Sequence, residues 1–157
     1  FAGTLDWYLL DDAVVAATHQ CLRQLNRFYK KHPPLWENDC GWQGFEWLVA
    51  DDNHNNVLVF LRRDKSGREL ICVVNFSPVA LEEYRFGVPD RAAYEEVFNT
   101  DALCWGGSGV CNEGNIPVET IASHGRETSV SVRVPPLGAL YLQGKSRINR
   151  KKGAEKK

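Results

Sequence analysis

The feature that most constrains the fold is a series of short apolar runs from Phe45 onward, each ended by turn-forming residues. The runs are rich in β-branched and aromatic residues, a composition typical of strands. Segments such as DDNHNN and DKSG have the chemistry of tight turns and predict hairpins between the first three runs. The runs are FEWLVA, VLVFLRR, ELICVVNF, EYRFGV, AYEEVF, VETIA, TSVSVRV and ALYLQ. Because no helical pattern separates them, they predict a mostly β fold, an antiparallel β-sandwich of about eight strands.

Alternation within the runs predicts which side chains face the core. The run TSVSVRV predicts that its valines face inward and that Ser129, Ser131 and Arg133 face outward. The run CVVNF is apolar on both faces, which indicates a central strand. Its polar residue, Asn75, is predicted to bind backbone groups.

The stretch CGWQGFEWLVADD concentrates aromatic residues at the start of the first strand. Strict alternation predicts that Phe45, Trp47 and Val49 share one face, with Phe45 in the core. Trp42 lies between two glycines outside the strand, so this geometry does not constrain it.

One amphipathic helix is predicted before the strands, from Asp12 to His32. Asp11 or Asp12 can cap its N-terminus, and Pro33 ends it. Its apolar residues recur at steps of three and four, so the helix must pack on another element. That stripe contains Val15, Thr18, Leu22, Leu25 and Tyr29.

Composition and charge exclude several classes of protein. Residues 145–157 hold seven Lys/Arg and one Glu, a net charge of +6, whereas residues 1–144 hold 12 basic and 19 acidic residues, a net charge of −7. We expect a disordered basic tail on an acidic body, which is not a nucleic-acid-binding face. No apolar run approaches the roughly 18 residues of a membrane span, and no signal pattern is present, so a soluble, cytoplasmic protein is expected.

The five cysteines and the first residue also carry predictions. Five is an odd number, and no pair shows CxxC spacing, which favours reduced thiols over a disulfide framework and argues against structural zinc. The chain begins with Phe1 and contains no Met, which indicates a fragment or a processed chain.

No catalytic constellation is evident from the residues. The acids come mostly as adjacent pairs, whose members point to opposite faces of a strand or lie in turns. No serine has the strand–turn–helix context of a nucleophile elbow. The glycine-rich stretch 104–117 is predicted to be a wide surface loop, since no helix follows it to cradle a phosphate. We expect no metal and no cofactor.

The chain resembles the C-terminal end of the bacterial glycogen branching enzymes, which are 1,4-alpha-glucan branching enzymes of the alpha-amylase superfamily. The matching pieces occur in family order and span most of the chain from Leu5 to Leu142. They are LDWYLLDD, LRQLNRFYK, GFEWLVADDNHNNVLVFLRRDKSG, VVNFSPV, YRFGVPD, VFNTDALCWGGSGVCNEG and SHGRETSVSVRVPPLGALYL. The chain departs from the family in WENDCGWQGFEW, which adds Trp36 and Trp42, and in its basic tail.

The resemblance implies a domain organisation. Residues 1–32 would be the end of a catalytic (β/α)8 barrel with its last helix, residues 33–44 a linker, residues 45–143 the all-β C-terminal domain, and residues 144–157 the tail. The catalytic acids of the family belong to barrel motifs that this sequence does not contain. The resemblance therefore implies no catalytic residue here.

Two functions from different classes follow. The first is a non-catalytic part of a glucan branching transferase, with the upstream barrel and glycogen or another α-1,4 glucan as partners. The alternative is a stand-alone carbohydrate-binding module, and another superfamily C-domain, such as that of a debranching enzyme, also remains open.

Four tryptophans are candidate glucan contacts, because aromatic rings pack on sugar faces. Trp47 lies where the sandwich would leave the barrel, and Trp7 precedes the last barrel helix. Trp105 opens the glycine-rich loop, and Trp42 lies between glycines. For each, the alternative is ordinary packing.

Overall fold

The computed structural model describes residues 6–146. A 3-10 turn at Trp7–Asp11 leads into helix α1, Ala13–Lys31. The Asp12 carboxylate accepts hydrogen bonds from the backbone N–H groups of Val14 at 2.8 Å and Val15 at 3.1 Å. This is the predicted N-cap, and the prediction of a helix over residues 12–32 is confirmed. Most of the predicted basic tail lies outside the described residues.

Between α1 and residue 146, eight strands form two antiparallel sheets. Three short 3-10 turns, Pro33–Leu35, Trp42–Gly44 and Leu103–Trp105, lie between elements. The larger sheet has the order β1-β2-β3-β8-β5-β6, and β4 pairs with β7 in the smaller one. The strands are β1 Phe45–Asp52, β2 Val57–Arg63, β3 Glu69–Asn75, β4 Leu81–Gly87, β5 Ala93–Asn99, β6 Ile116–Pro117, β7 Ser129–Val134 and β8 Ala139–Lys145. The mostly β prediction and the hairpins β1–β2 and β2–β3 are confirmed.

The core lies between the two sheets and is built from one face of each. Its fully buried side chains include Val59, Leu61, Ile71, Val73, Phe86, Leu140 and Leu142. The valines of β7 face this core as predicted. Ser129 does not face solvent, so that prediction was wrong: its backbone pairs with Glu119 and its hydroxyl accepts a hydrogen bond from Arg85 at 3.0 Å. The segment that contains Glu119 covers this end of β7.

The predicted strand VETIA, residues 118–122, was also wrong. The pairing with β5 is made instead by the two-residue strand β6, whose Ile116 is buried. Glu119 makes a single bridge to Ser129. After Pro117 the chain turns away from β5 and covers β7. The apolar residues that follow Pro117 therefore have no neighbouring strand with which to pair.

A β-bulge in β1 overturns the predicted alternation. Trp47 pairs with Phe60 and Val49 with the next residue, Val59, so Leu48 is the extra residue. Leu48 and Val49 are both buried, whereas Trp47 is 50% exposed on the outer face. Val49 and Trp47 therefore do not share a face.

Phe45 was predicted to lie in the core, and this was wrong. It is half-buried on the outer face of the sheet, where its ring stacks on Phe60 with centroids 5.4 Å apart. The apolar surface that shields Phe45 comes from other aromatic residues of the outer face.

A chain of ion pairs connects β1, β2, β3 and two loops. Glu46 binds both Arg126 and Arg63, with the Arg63 nitrogen at 2.6 Å. Arg63 also binds Glu69 at 3.0 Å, and Glu69 in turn binds Arg91. The loops that carry Arg91 and Arg126 are thus fixed to the larger sheet.

Candidate functional site

The outer face of the larger sheet carries a row of side chains across five strands. Successive register partners place Trp47, Phe60, Cys72, Tyr141 and Phe98 in line on β1, β2, β3, β8 and β5. Four of the five are aromatic. Since neighbouring strands lie about 4.8 Å apart, the row is about 19 Å long.

At one end of the row, Trp47 forms an aromatic cluster with Phe45 and Phe60. The Trp47 ring meets both neighbours edge-on, with centroids 4.9 Å and 5.9 Å away. The Arg62 guanidinium lies 5.9 Å from the centre of the Phe45 ring. Trp47 is therefore held by packing and keeps half of its surface exposed.

At the other end of the row, α1 packs on the sheet through Phe28. The Phe28 ring lies 5.0 Å from Phe98 and 5.1 Å from Tyr141, centroid to centroid. Burial raises the pKa of Tyr141 to about 12, and nearby Cys72 adds to the shift. Helix α1 therefore covers part of this end of the row, where Phe98 and Tyr141 are half-buried.

Trp105 extends the aromatic packing beyond β5. Its ring is stacked on Phe98, with centroids 6.1 Å apart and planes 21° from parallel. Its indole N–H donates a hydrogen bond to the carbonyl oxygen of Asn99 at 2.9 Å. Two contacts thus fix the orientation of a half-buried indole.

A groove of about 640 Å³ lies between α1 and β5, and we call it the α1–β5 groove. One wall is a single face of α1, because its residues recur at steps of three and four. The other wall is β5 with Trp105, and Gln143 of β8 also contributes. The lining side chains are Gln24, Arg27, Phe28, Lys31, His32, Glu95, Glu96, Val97, Phe98, Trp105 and Gln143.

A second β-bulge shapes this groove. Glu96 pairs with Leu142 and Phe98 with Tyr141, so Val97 is the extra residue in β5. The bulge places Phe98 on the outer face, the same face as Glu95, although the two are three positions apart. An acidic side chain and an aromatic ring therefore meet in one wall.

The structure does not bring the four candidate tryptophans together. Trp47 lies on β1 and Trp105 beyond β5, with three strands between them. Trp7 is 69% exposed in the 3-10 turn before α1, and Trp42 is 98% exposed beside β1. Trp105 is the one of the four that lines the α1–β5 groove.

Sequence reasoning missed the other polar residues of the groove. Gln24 and Arg27 lie outside the apolar stripe of α1 and carried no signal. Gln143 ends a predicted strand, where polar residues are common. Only the placement of α1 across β5 and β8 makes them neighbours.

The acids of the turns are structural. Burial acts to raise the pKa of Asp64, but hydrogen bonds from Ser66 and Arg68 outweigh it and hold that pKa below its usual value. Burial also acts to raise the pKa of Asp52, but hydrogen bonds from Asn55 and Tyr84 outweigh it and lower that pKa. Both carboxylates therefore stabilise turns through these hydrogen bonds. Among residues 6–146, no three His, Cys, Asp or Glu side chains are grouped as metal ligands would be.

The architecture matches a known family. The model of the alpha amylase C-terminal all-beta domain matches residues 47–145. The chain belongs to this family. As an alpha-amylase C-terminal all-beta domain, it is a non-catalytic domain of an alpha-amylase family enzyme.

The extent of the match agrees with the strands. It begins at Trp47 within β1 and ends at Lys145, the last residue of β8. Helix α1 precedes the matched residues, although Phe28 packs it on the all-beta domain. Within residues 6–146, no helix has the length and apolar character needed to cross a membrane.

Proposed function

We propose that this chain is the C-terminal part of a glucan branching enzyme. The whole enzyme would cleave an α-1,4 glucan and transfer the segment to a 6-hydroxyl, with retention through a double displacement. The catalytic acids would lie in an upstream barrel, and the residues described above would stabilise that barrel and contact glucan. The sequence pieces shared with branching enzymes support this proposal, and the surface of α1 is the structural observation that carries it.

Helix α1 buries only one edge of its apolar stripe. Phe28 packs on the sheet, whereas Val14 is 74% exposed and Leu22 is 55% exposed. Tyr29 and the preceding Trp7 are exposed as well. A contiguous exposed apolar surface of this kind is typical of an interface.

The outer face of the larger sheet adds to this surface. Trp47 and Phe60 lie on the same face of the sheet as the contact between α1 and Tyr141. The exposed edge of α1 and the half-exposed Trp47 therefore flank one side of the domain. We infer that the upstream barrel packs on this side, with α1 as its last helix.

A stand-alone carbohydrate-binding module is the alternative, and it does not account for α1. Such a module would gain nothing from an exposed apolar helix stripe, which lowers solubility. Glucan binding by itself fits both functions, so binding does not separate them.

The test is the activity of the longer protein. Expressed with its upstream coding sequence, it is expected to lower the iodine absorbance of amylose and to form chains that isoamylase releases. Hydrolysis without new α-1,6 linkages, or branching by the 157-residue chain alone, would contradict the proposal.

A pair of variants in the longer protein tests the α1 surface. Leu22→Asp places a charge on the exposed apolar edge and is expected to lower the melting temperature and activity of the longer protein. Arg23→Asp introduces the same side chain at another exposed position of α1, about 100° around the helix from Leu22, and serves as the control. Equal effects of the two variants would argue against this surface.

A further inference from the structure

We propose that the α1–β5 groove binds a neutral oligosaccharide chain, and that its ring platform is Trp105. Its assignment to an α-glucan rests on the proposed function. The proposal places the main sugar contact of this domain at the end of the aromatic row opposite to Trp47.

The groove carries charges of both signs. Arg27 and Lys31 belong to the α1 wall, and Glu95 and Glu96 belong to β5, where Glu95 is paired with Lys145. A charged ligand of either sign therefore meets like charges within the groove, which offset part of its attraction. A neutral molecule with many hydroxyl groups can use both signs, because a hydroxyl donates and accepts.

The two acidic side chains of the groove already have hydrogen-bond or ion-pair partners, whereas several of its amide and cationic side chains do not. Glu95 is paired with Lys145 at 2.6 Å, and Glu96 accepts hydrogen bonds from Asn99 and Asn112. Among the described residues, no hydrogen-bond or ion-pair partner is found for the side chains of Gln24, Arg27, Lys31 and Gln143. Their amide and cationic groups line the cavity with donors and acceptors for a ligand.

Trp105 supplies the apolar component that sugar binding requires. Stacking on Phe98 and the hydrogen bond to Asn99 hold its indole in one orientation, so little side-chain entropy is lost when a ligand packs against it. The cavity, about 640 Å³, lies within the range of small-molecule sites, about 300–1,000 Å³. Trp42, in contrast, is almost fully exposed, so no surrounding residues would enclose a ligand on its ring.

The test is an NMR titration of the 157-residue chain with maltohexaose, with cellohexaose as the matched probe of different linkage. We expect the side-chain amides of Gln24 and Gln143 and the indole N–H of Trp105 to shift with a common Kd. The indole signals of Trp42 and Trp47 should stay in place. The proposal is overturned if only those two indoles shift, or if no groove signal moves with either sugar.

Variants separate the groove from the fold. Trp105→Ala is expected to weaken binding about fivefold to tenfold, the loss of one aromatic contact. Gln24→Ala changes a partly buried position of α1 outside the core and should weaken binding about threefold to fivefold. Trp42→Ala is the matched control and should bind as the wild type does. Wild-type affinity in both groove variants would overturn the assignment.

The failures of the two proposals are distinguishable. If the longer protein forms branches but maltohexaose leaves the groove signals unmoved, the groove proposal alone fails. If the groove binds cellohexaose as well as maltohexaose and the longer protein forms no branches, an oligosaccharide groove remains but the α-glucan assignment fails with the proposed function.

Discussion

The ring of Phe28 on α1 lies 5.0 Å from the ring of Phe98 on β5, and this contact joins the helix to the all-beta domain. Phe28 is the one buried residue of α1. The same ring also contacts His32 and Tyr141. The position of the helix, and with it one wall of the α1–β5 groove, therefore depends on this ring together with the contacts of α1 with the Leu103–Trp105 turn.

Phe28→Ala is expected to lower the free energy of unfolding by about 3 kcal/mol, because it leaves a cavity between α1 and the sheet. Urea denaturation followed by circular dichroism measures this loss. Leu22→Ala, a large-to-small change on the exposed edge of the same helix, should change it by less than about 0.5 kcal/mol. A loss in Leu22→Ala as large as in Phe28→Ala would show that the helix packs differently.

Local chemistry explains why the sequence predicted α1 and most strands. The Asp12 cap and the two prolines after His32 act within one helical turn, so their effect can be read without the fold. Asn75 likewise donates hydrogen bonds to the carbonyl oxygens of Val79 and Pro135, both at 2.9 Å, as a polar residue in a buried strand must. Such features depend on neighbours in the chain or on burial alone.

Glu46 should contribute more to stability than an exposed acid does. It binds Arg63 and Arg126 at once, so Glu46→Ala leaves two guanidinium groups without this partner. We expect a loss of about 2 kcal/mol in the free energy of unfolding, smaller at high salt. Glu82→Ala removes the exposed pair with Arg133 and should cost much less than Glu46→Ala. Equal losses in chemical denaturation would contradict this.

The glycine-rich loop offers two neighbouring positions with different constraints. A Cβ at Gly107 would lie 2.2 Å from the Asp101 carbonyl oxygen, so Gly107→Ala forces the backbone to move. We expect a loss of about 2 kcal/mol and a displaced Trp105 signal in NMR spectra. Gly106→Ala meets no atom within 4 Å, but its φ of 81° costs about 1 kcal/mol. A larger loss at Gly106 would contradict the close approach.

The candidate site could be predicted from the sequence to a smaller extent than α1 and the strands. The bulges at Leu48 and Val97 depend on which residues of β2 and β8 lie opposite, and alternation within a single strand does not contain that information. They place Trp47 and Val49 on opposite faces and bring Phe98 to the outer face. Trp105 was predicted as a candidate contact from its residue type, but its partners in the groove come from a helix about 80 positions earlier.

The pH dependence of stability should reflect Asp64. Burial acts to raise the pKa of its carboxyl group, but hydrogen bonds from the Ser66 hydroxyl at 2.7 Å and the Arg68 backbone N–H at 2.9 Å hold that pKa in the folded protein below the unfolded value of about 3.9. The stabilisation is therefore complete above that unfolded value and is lost as the pH falls through the folded one. Asp64→Asn should lower the free energy of unfolding by about 1–2 kcal/mol at pH 7, and this difference should shrink below about pH 4. Asp51→Asn, at an exposed position of the neighbouring hairpin, is the control and should follow the wild type in denaturation between pH 3 and pH 7. A gap between wild type and Asp64→Asn that stays constant down to pH 3 would show that the Asp64 charge does not stabilise the turn.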